Sequence, residues 1–274
     1  MPVHATKETG KAELPSFRVK PRLTDASRHL GDLPPLKLAF VALFALWWVL
    51  LLFFYLFPDI DISVSWSFYT RLPCAPGAPD GIICGSFLHA QDKALGLLRE
   101  LILFLPAVLA LVIIYQLINV CSHHGATFDG WQARRLTAAL AALLIGPGIL
   151  VNWILKEISH RPRPRNTDLF GGQHAFMPAG DFSGSCVSNC SFVSGEAAAA
   201  GWLFCYAVFI IPNRLKLLLS PPLIAVSVSA PVMRVAYGGH YVSDVILAWL
   251  GAVVIFIGIL YLFEEKETTG MKHH

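Results

Sequence analysis

Polar stretches break the chain into six apolar runs: residues 36–57, 97–120, 136–155, 196–212, 217–237 and 241–263. Most match the length of roughly 20 apolar residues with which a helix crosses a lipid core. The fourth run is short, and Pro147 and Pro231 fall inside the third and fifth. Prolines are tolerated in membrane helices where neighbours satisfy the freed backbone groups. The pattern predicts an all-α integral membrane protein, a bundle of six transmembrane helices forming one domain over residues 36–263. Residues 1–35 are polar and basic and read as a disordered or surface-lying tail. No small-residue cleavage site follows the first run, which therefore reads as an uncleaved signal-anchor. Residues 264–274 read as a short C-terminal tail.

Composition agrees. Of 274 residues 55% are hydrophobic and only 14% charged, against roughly 25% charged in a soluble domain. The net charge of +3 is too small to imply a nucleic-acid partner. Its placement says more, because positive residues concentrate in cytoplasmic loops. The basic N-terminus, Arg134/Arg135 and Arg214/Lys216 would share that face. The loops at 58–96 and 156–195 would lie outside, with both termini cytoplasmic. The second of these loops is rich in arginine, against a naive count, unless its cations serve a site. In the first, the polar–apolar alternation over 59–66 and the aromatic residues Trp66, Phe68 and Tyr69 suggest a segment lying along the membrane interface.

Cys74/Cys84 and Cys186/Cys190 fall in the two outer loops, whereas Cys121 and Cys205 fall at or within apolar runs. The simple reading is up to two loop disulfides in an oxidising compartment. The alternative is six free thiols. A Cys-X3-Cys spacing without further Cys or His partners does not make a zinc site.

Three polar stretches carry candidate chemistry. Lys156 ends an apolar run, and Arg163-Pro164 follows it. Lysine supplies a point charge and arginine paired hydrogen bonds for a phosphate, although interfacial cations also merely snorkel. In the second stretch Ser194 is placed to cap the helix that begins at Gly195-Glu196. Free N–H groups at such a start can hold an anion, but a plainly capped helix explains the same residues. In the third, Arg234 precedes His240, and Asp244 lies one helical turn beyond it. A carboxylate bonded to one ring nitrogen would leave the other free to act as nucleophile or base. A structural His–Asp bond is the plain alternative.

Taken together the chain resembles the type 2 phosphatidic acid phosphatase superfamily of membrane lipid phosphatases. That family's pattern is Lys-X6-Arg-Pro, Pro-Ser-Gly-His and Ser-Arg-X5-His-X3-Asp. It is met here as Lys156…Arg163-Pro164, Ser194-Gly195, and Arg234…His240…Asp244. The resemblance implies a phosphatase that removes a phosphate monoester from a lipid through a phosphohistidine on His240. Asp244 would orient the histidine. Lys156, Arg163, Arg234 and the Ser194–Gly195 groups would hold the phosphoryl oxygens. No metal or other cofactor is implied. The chain departs from the pattern at Met233 and Val193 and, more seriously, at Glu196, which stands where the family has a histidine that protonates the leaving oxygen. Glu196 could take that role, or His160 or His174, or the leaving group could need little help. Arg161 and Arg165 read as interfacial or headgroup contacts. The wording around Ser194 looks like a bacterial branch that includes lipid A phosphatases. This implies an inner-membrane enzyme facing the periplasm, with the first outer loop and residues 170–181 shaping a lipid-facing opening. The alternatives are a lipid phosphotransferase and a non-catalytic phospholipid-binding protein or transporter.

Overall fold

The structure, a computed structural model, describes residues 36–77, 81–87, 90–122 and 130–270, with 264–270 described by backbone alone. The N-terminal tail lies outside the described residues. Each of the six apolar runs forms a helix. They are α1 (Leu36–Leu56), α3 (Lys93–Ser122), α4 (Gly130–Ile158), α5 (Gly195–Ile210), α6 (Asn213–Ala236) and α7 (Val242–Gly270), with the short α2 (Asp59–Ser67) following α1. Among the described residues five of these are long and apolar enough to cross a membrane. The exception is α5, at about 24 Å by helical rise.

α3, α4 and α7 extend past the limits set by hydropathy, because polar residues at their ends continue the helix after the apolar run stops. α7 runs on to Gly270, into the segment read as a tail. A small departure from an all-α chain is the antiparallel pair β1 (Tyr69–Arg71) and β2 (Gly85–Phe87). The Cys74–Cys84 disulfide closes the segment between these strands.

α5 sits at the centre. Ala197, Ala198, Ala200, Trp202, Leu203 and Cys205 are all buried, as expected for a helix that is apolar all round. Small residues let its backbone approach its neighbours closely, and its most extensive packing is against α7. Polar ties fix the register. The Trp202 indole donates to Ala139 O of α4 at 2.8 Å, Ser220 Oγ of α6 donates to Ala207 O at 2.7 Å, and Trp47 of α1 donates to Leu247 O of α7 at 2.8 Å. Large apolar side chains such as Phe44, Leu101, Phe104, Leu111 and Leu217 stand exposed on the outer surface. Such a surface is suited to lipid rather than water.

α4 is α-helical to Leu143 and π-helical over Leu144–Leu155. Pro147 lies in this stretch and has no N–H to offer the regular ladder. The Asn152 side chain donates to the Pro147 carbonyl at 2.7 Å. The C-terminal ends of α4 and α6 and the N-terminal ends of α3, α5 and α7 meet at one end of the bundle, where the three polar stretches converge.

The segment over 59–66 is helical and buried on one side. It forms α2, in which Asp61 and Ser65, one turn apart, are both fully buried. Its aromatic residues also turn inward. Trp66 and Tyr69 join Phe87 and Phe170 in a cluster with ring centroids 4.9–5.3 Å apart. The first outer loop and the start of the 170–181 stretch therefore pack on each other through Phe170.

Candidate active site

The turn after α6 places His240. Gly238 adopts φ +59°, and its N–H donates to Val235 O while that of Gly239 donates to Arg234 O. This is the reciprocal closure that ends a helix on a left-handed residue. A side chain at Gly238 would meet the Phe87 ring at 2.3 Å. The turn puts His240 two residues before α7, with both ring and backbone buried.

The His240 Nδ1–H donates to the Ser191 carbonyl at 2.7 Å. A carbonyl only accepts, so Nδ1 carries the proton and Nε2 keeps its lone pair. The expected His240–Asp244 hydrogen bond is corrected here, since Nδ1 lies 3.8 Å from Asp244 Oδ2. That carboxylate is occupied elsewhere. Oδ2 accepts from Ser191 Oγ at 2.5 Å and from the Tyr241 N–H at 2.9 Å, and Oδ1 accepts from Arg161 at 2.5 Å. Asp244 thus caps its own helix and holds Ser191, whose carbonyl in turn orients the imidazole. Burial pushes His240 down to about 4; Asp244 opposes this, and Arg234 and Arg163 add to it. At neutral pH the ring is uncharged, as a nucleophile must be.

Arg161 is a second correction. It is no headgroup contact but fully buried. It bridges Asp244 and Asp61, stacks over Tyr241 at 4.3 Å, and donates to Ser243 Oγ at 2.9 Å. Burial opposes its charge, yet Asp244 and Asp61 outweigh burial and hold the guanidinium above its ordinary value. A single buried network therefore joins α2, the loop after α4 and the start of α7. Arg165 remains exposed.

Ser194 is also corrected. It is fully buried as the N-cap of α5, its Oγ accepting from the Ala197 N–H at 3.3 Å and its own N–H donating to Asp244 O. It does not line the cavity described below. Gly195 and Glu196 do, at the first turn of α5, where N–H groups lack helical partners. A side chain at Gly195 would meet Asn152 Oδ1 at 2.4 Å, so glycine is what allows α5 to start against α4.

A cavity of about 820 Å³ has Arg99, Lys156, Arg163, Glu196, Arg234 and His240 at its polar end. The rest is apolar, with Leu103, Pro106 and Ile114 of α3 facing Leu140, Leu144 and Pro147 of α4. Leu103, Ile114 and Leu144 are exposed, so the cavity opens sideways between α3 and α4. Arg163 is fixed by Asn189, with Nε to Asn189 O at 3.0 Å and Nη2 to Oδ1 at 2.6 Å. Burial, then Arg165 and Arg99, push the Arg163 guanidinium below its ordinary range, while Asp244 and Glu196 oppose. These crowded cations are arranged to receive an anion.

Glu196 is held by Arg99 at 2.5 and 3.1 Å and lies 3.4 Å from Arg234 Nε. A carboxylate gripped in this way accepts hydrogen bonds and has no proton to give. His160 and His174 are not brought to the site. His160 is exposed and His174 half-buried, with Nδ1 at 2.9 Å from Cys186 O and 2.7 Å from Ser185 Oγ respectively. The second loop carries the Cys186–Cys190 disulfide, and Cys121 and Cys205 are free. Among the described residues no cluster of His, Cys, Asp and Glu could hold a metal ion. Sequence reasoning passed over Arg99 and Asp61. An arginine inside an apolar run is itself a signal, and Arg99 sits in one.

A model of the PAP2 superfamily matches residues 135–267. The chain is 49% identical over 229 residues to a lipid A 4'-phosphatase of Rhizobium etli, covering 84% of this chain and 89% of that one. It is 48% identical over 225 residues to a lipid A 4'-phosphatase of Rhizobium leguminosarum, covering 82% and 96%. Among solved structures it is similar to a transmembrane PAP2-type phosphatidylglycerolphosphate phosphatase from Bacillus subtilis, with TM-score 0.47 and 20% identity over 83% of this chain and 96% of that one. Identity near one half, sustained over more than four-fifths of each Rhizobium relative, leads to one conclusion: the chain belongs to the PAP2 superfamily.

Proposed function

We propose that this membrane lipid phosphatase takes its phosphate from lipid A or a close relative, at the periplasmic face of a bacterial inner membrane. The observation that carries the reading is the cavity. Its end is cationic and holds His240, and its walls are apolar and open laterally between α3 and α4. A lipid phosphate has the same two halves. The substrate's acyl region would lie along Leu103, Ile114 and Leu144, with its phosphate among Lys156, Arg163 and Arg234. The first-turn N–H groups of α5 add fixed partial charge at the same place.

His240 Nε2 attacks phosphorus, the ester P–O bond breaks, and the lipid alcohol leaves. Water then hydrolyses the phosphohistidine and frees His240. The surrounding cations are worth most in the transition state, where charge builds on oxygen. Glu196, once its arginines have been drawn elsewhere, takes up a proton from solvent and passes it to the leaving oxygen.

The five long helices and the shorter α5 all cross the bilayer, with both termini cytoplasmic. In support, Arg134/Arg135 and Arg214/Lys216 lie towards the starts of α4 and α6, at the opposite end of the bundle from the site. Both disulfides lie in loops at the site end. A cysteine placed at Arg214 in a Cys121→Ser background should react with an impermeant maleimide only after permeabilisation of the inner membrane.

The function is tested with full-length protein in proteoliposomes carrying lipid A labelled in its phosphate. Free labelled phosphate is expected, and it should vanish in His240→Ala while lipid still binds. Label transferred to a second lipid would indicate a phosphotransferase instead. Unchanged release by His240→Ala would overturn the mechanism.

A further inference from the structure

Among the described residues, four cations line the polar end of the cavity against one carboxylate, Glu196. Lys156, Arg163 and Arg234 come from the spaced polar stretches. Arg99 does not. It enters from the beginning of α3, outside residues 135–267 that match the superfamily.

Arg99 presents Nη2 and Nε to the two oxygens of Glu196 at 2.5 and 3.1 Å. This is the paired geometry that a guanidinium offers to carboxylate and phosphate alike. Arg234 reaches the same carboxylate less well, its Nε lying 3.4 Å from Oε1. That Nε is buried and lacks a hydrogen bond among the described residues, and Arg234 is only 5% exposed. Lys156 likewise makes no side-chain hydrogen bond or ion pair to the described residues. One carboxylate therefore satisfies one guanidinium and leaves a buried donor open. A phosphate ester carries more charge and one more acceptor oxygen.

Building on the phosphatase reading above, we propose that Arg99 is a further substrate-binding residue and that Glu196 is the resting occupant of the phosphate cradle. The incoming phosphoryl group takes over Arg99 and Arg234, completes the open Arg234 donor, and frees the Glu196 carboxylate. Arg99 thereby closes the cradle from α3, the helix that also lines the apolar half of the cavity. The headgroup and chain of one lipid are thus read by the same element.

The test uses full-length protein in nanodiscs and inorganic phosphate as the probe, with affinity read by calorimetry so that turnover is not required. Glu196→Gln keeps the shape and removes the competing charge, and should bind phosphate about tenfold more tightly. Arg99→Ala should weaken binding about tenfold or more, as expected for a lost charge-assisted pair. It should do so in the Glu196→Gln background as well, with Arg99→Lys recovering part of the loss. If Arg99→Ala has no effect once Glu196 is glutamine, Arg99 merely anchors Glu196 and the proposal fails. Unchanged or weaker binding by Glu196→Gln also overturns it. Because Arg99 is partly exposed, its variants should retain the wild-type melting temperature. Wild-type protein that shows this binding pattern but releases no phosphate from lipid would overturn the phosphatase reading and leave the site intact.

Discussion

Arg161 Nη1 lies 2.5 Å from Asp244 Oδ1, and both side chains are fully buried. The other arm of the guanidinium holds Asp61 at 2.8 Å. The residue that orients the histidine loop is thus clamped to a short helix after the first span, 100 residues earlier in the chain than Arg161.

Removing one member of a buried ionic network leaves the others uncompensated, at a cost of about 3–5 kcal/mol. Arg161→Ala is expected to lower the melting temperature and abolish phosphate release. Arg161→Lys should rescue little, because an ammonium cannot serve two carboxylates from a planar fork. The milder Asp61→Asn separates positioning from folding. It should lower kcat with little change in KM, as measured by steady-state phosphate release.

The depressed value of His240, about 4 against an ordinary 6.5, has two readouts. The proposed nucleophile stays neutral well below pH 6 in the free enzyme, so the acidic limb of kcat/KM belonging to His240 should lie near 4. A limb near 6 belongs to the substrate phosphate and should move when the substrate is changed. For stability the sign follows from the depressed value. The unfolded chain binds a proton at His240 between pH 6.5 and 4 while the folded chain does not. Stability is therefore fully present above 6.5 and declines as pH falls through that window, which thermal melts across pH would detect.

Gly195→Ala would drive a methyl group to within 2.4 Å of the Asn152 amide oxygen. Either the Asn152 amide gives up its bond to Pro147 O or α5 retreats from α4, taking Glu196 with it. Activity should fall at least tenfold, a typical result of misplacing a catalytic group by a fraction of an ångström. Asn152→Ala in the same chain should restore part of it, whereas additive losses in a double-mutant cycle would refute the clash.

Leaving-group chemistry tests Glu196. With the natural alcohol, Glu196→Gln should reduce kcat steeply, by about two to four orders of magnitude. With an aryl phosphate, whose leaving oxygen needs no proton, the loss should be small. Equal losses would assign Glu196 to positioning alone.

The residues that were legible in sequence share one property, which is local spacing. Lys156, Arg163, Arg234 and His240 sit at fixed intervals at or just beyond helix ends, and the fold brings those ends together without altering the intervals. Arg99 and Asp61 were not legible because their partners are distant, Glu196 lying 97 residues from Arg99. Asp61 was also obscured by an alternating pattern, although burial follows the four-residue interval from Asp61 to Ser65. Arg161 was misread because an arginine near a membrane face ordinarily snorkels, and only the fold reveals two buried carboxylates waiting for it. The Ser191 carbonyl carries no side-chain signature, so the histidine's immediate partner was invisible.

The sideways mouth between α3 and α4 determines what substrate abundance means for this protein. On the proposed function, substrate reaches His240 by diffusing within a sheet, so the controlling variable is the fraction of lipids in one leaflet that carry the phosphate. Diluting vesicles in buffer should leave the rate per enzyme unchanged. Diluting the substrate with inert lipid at constant total substrate should slow it in proportion.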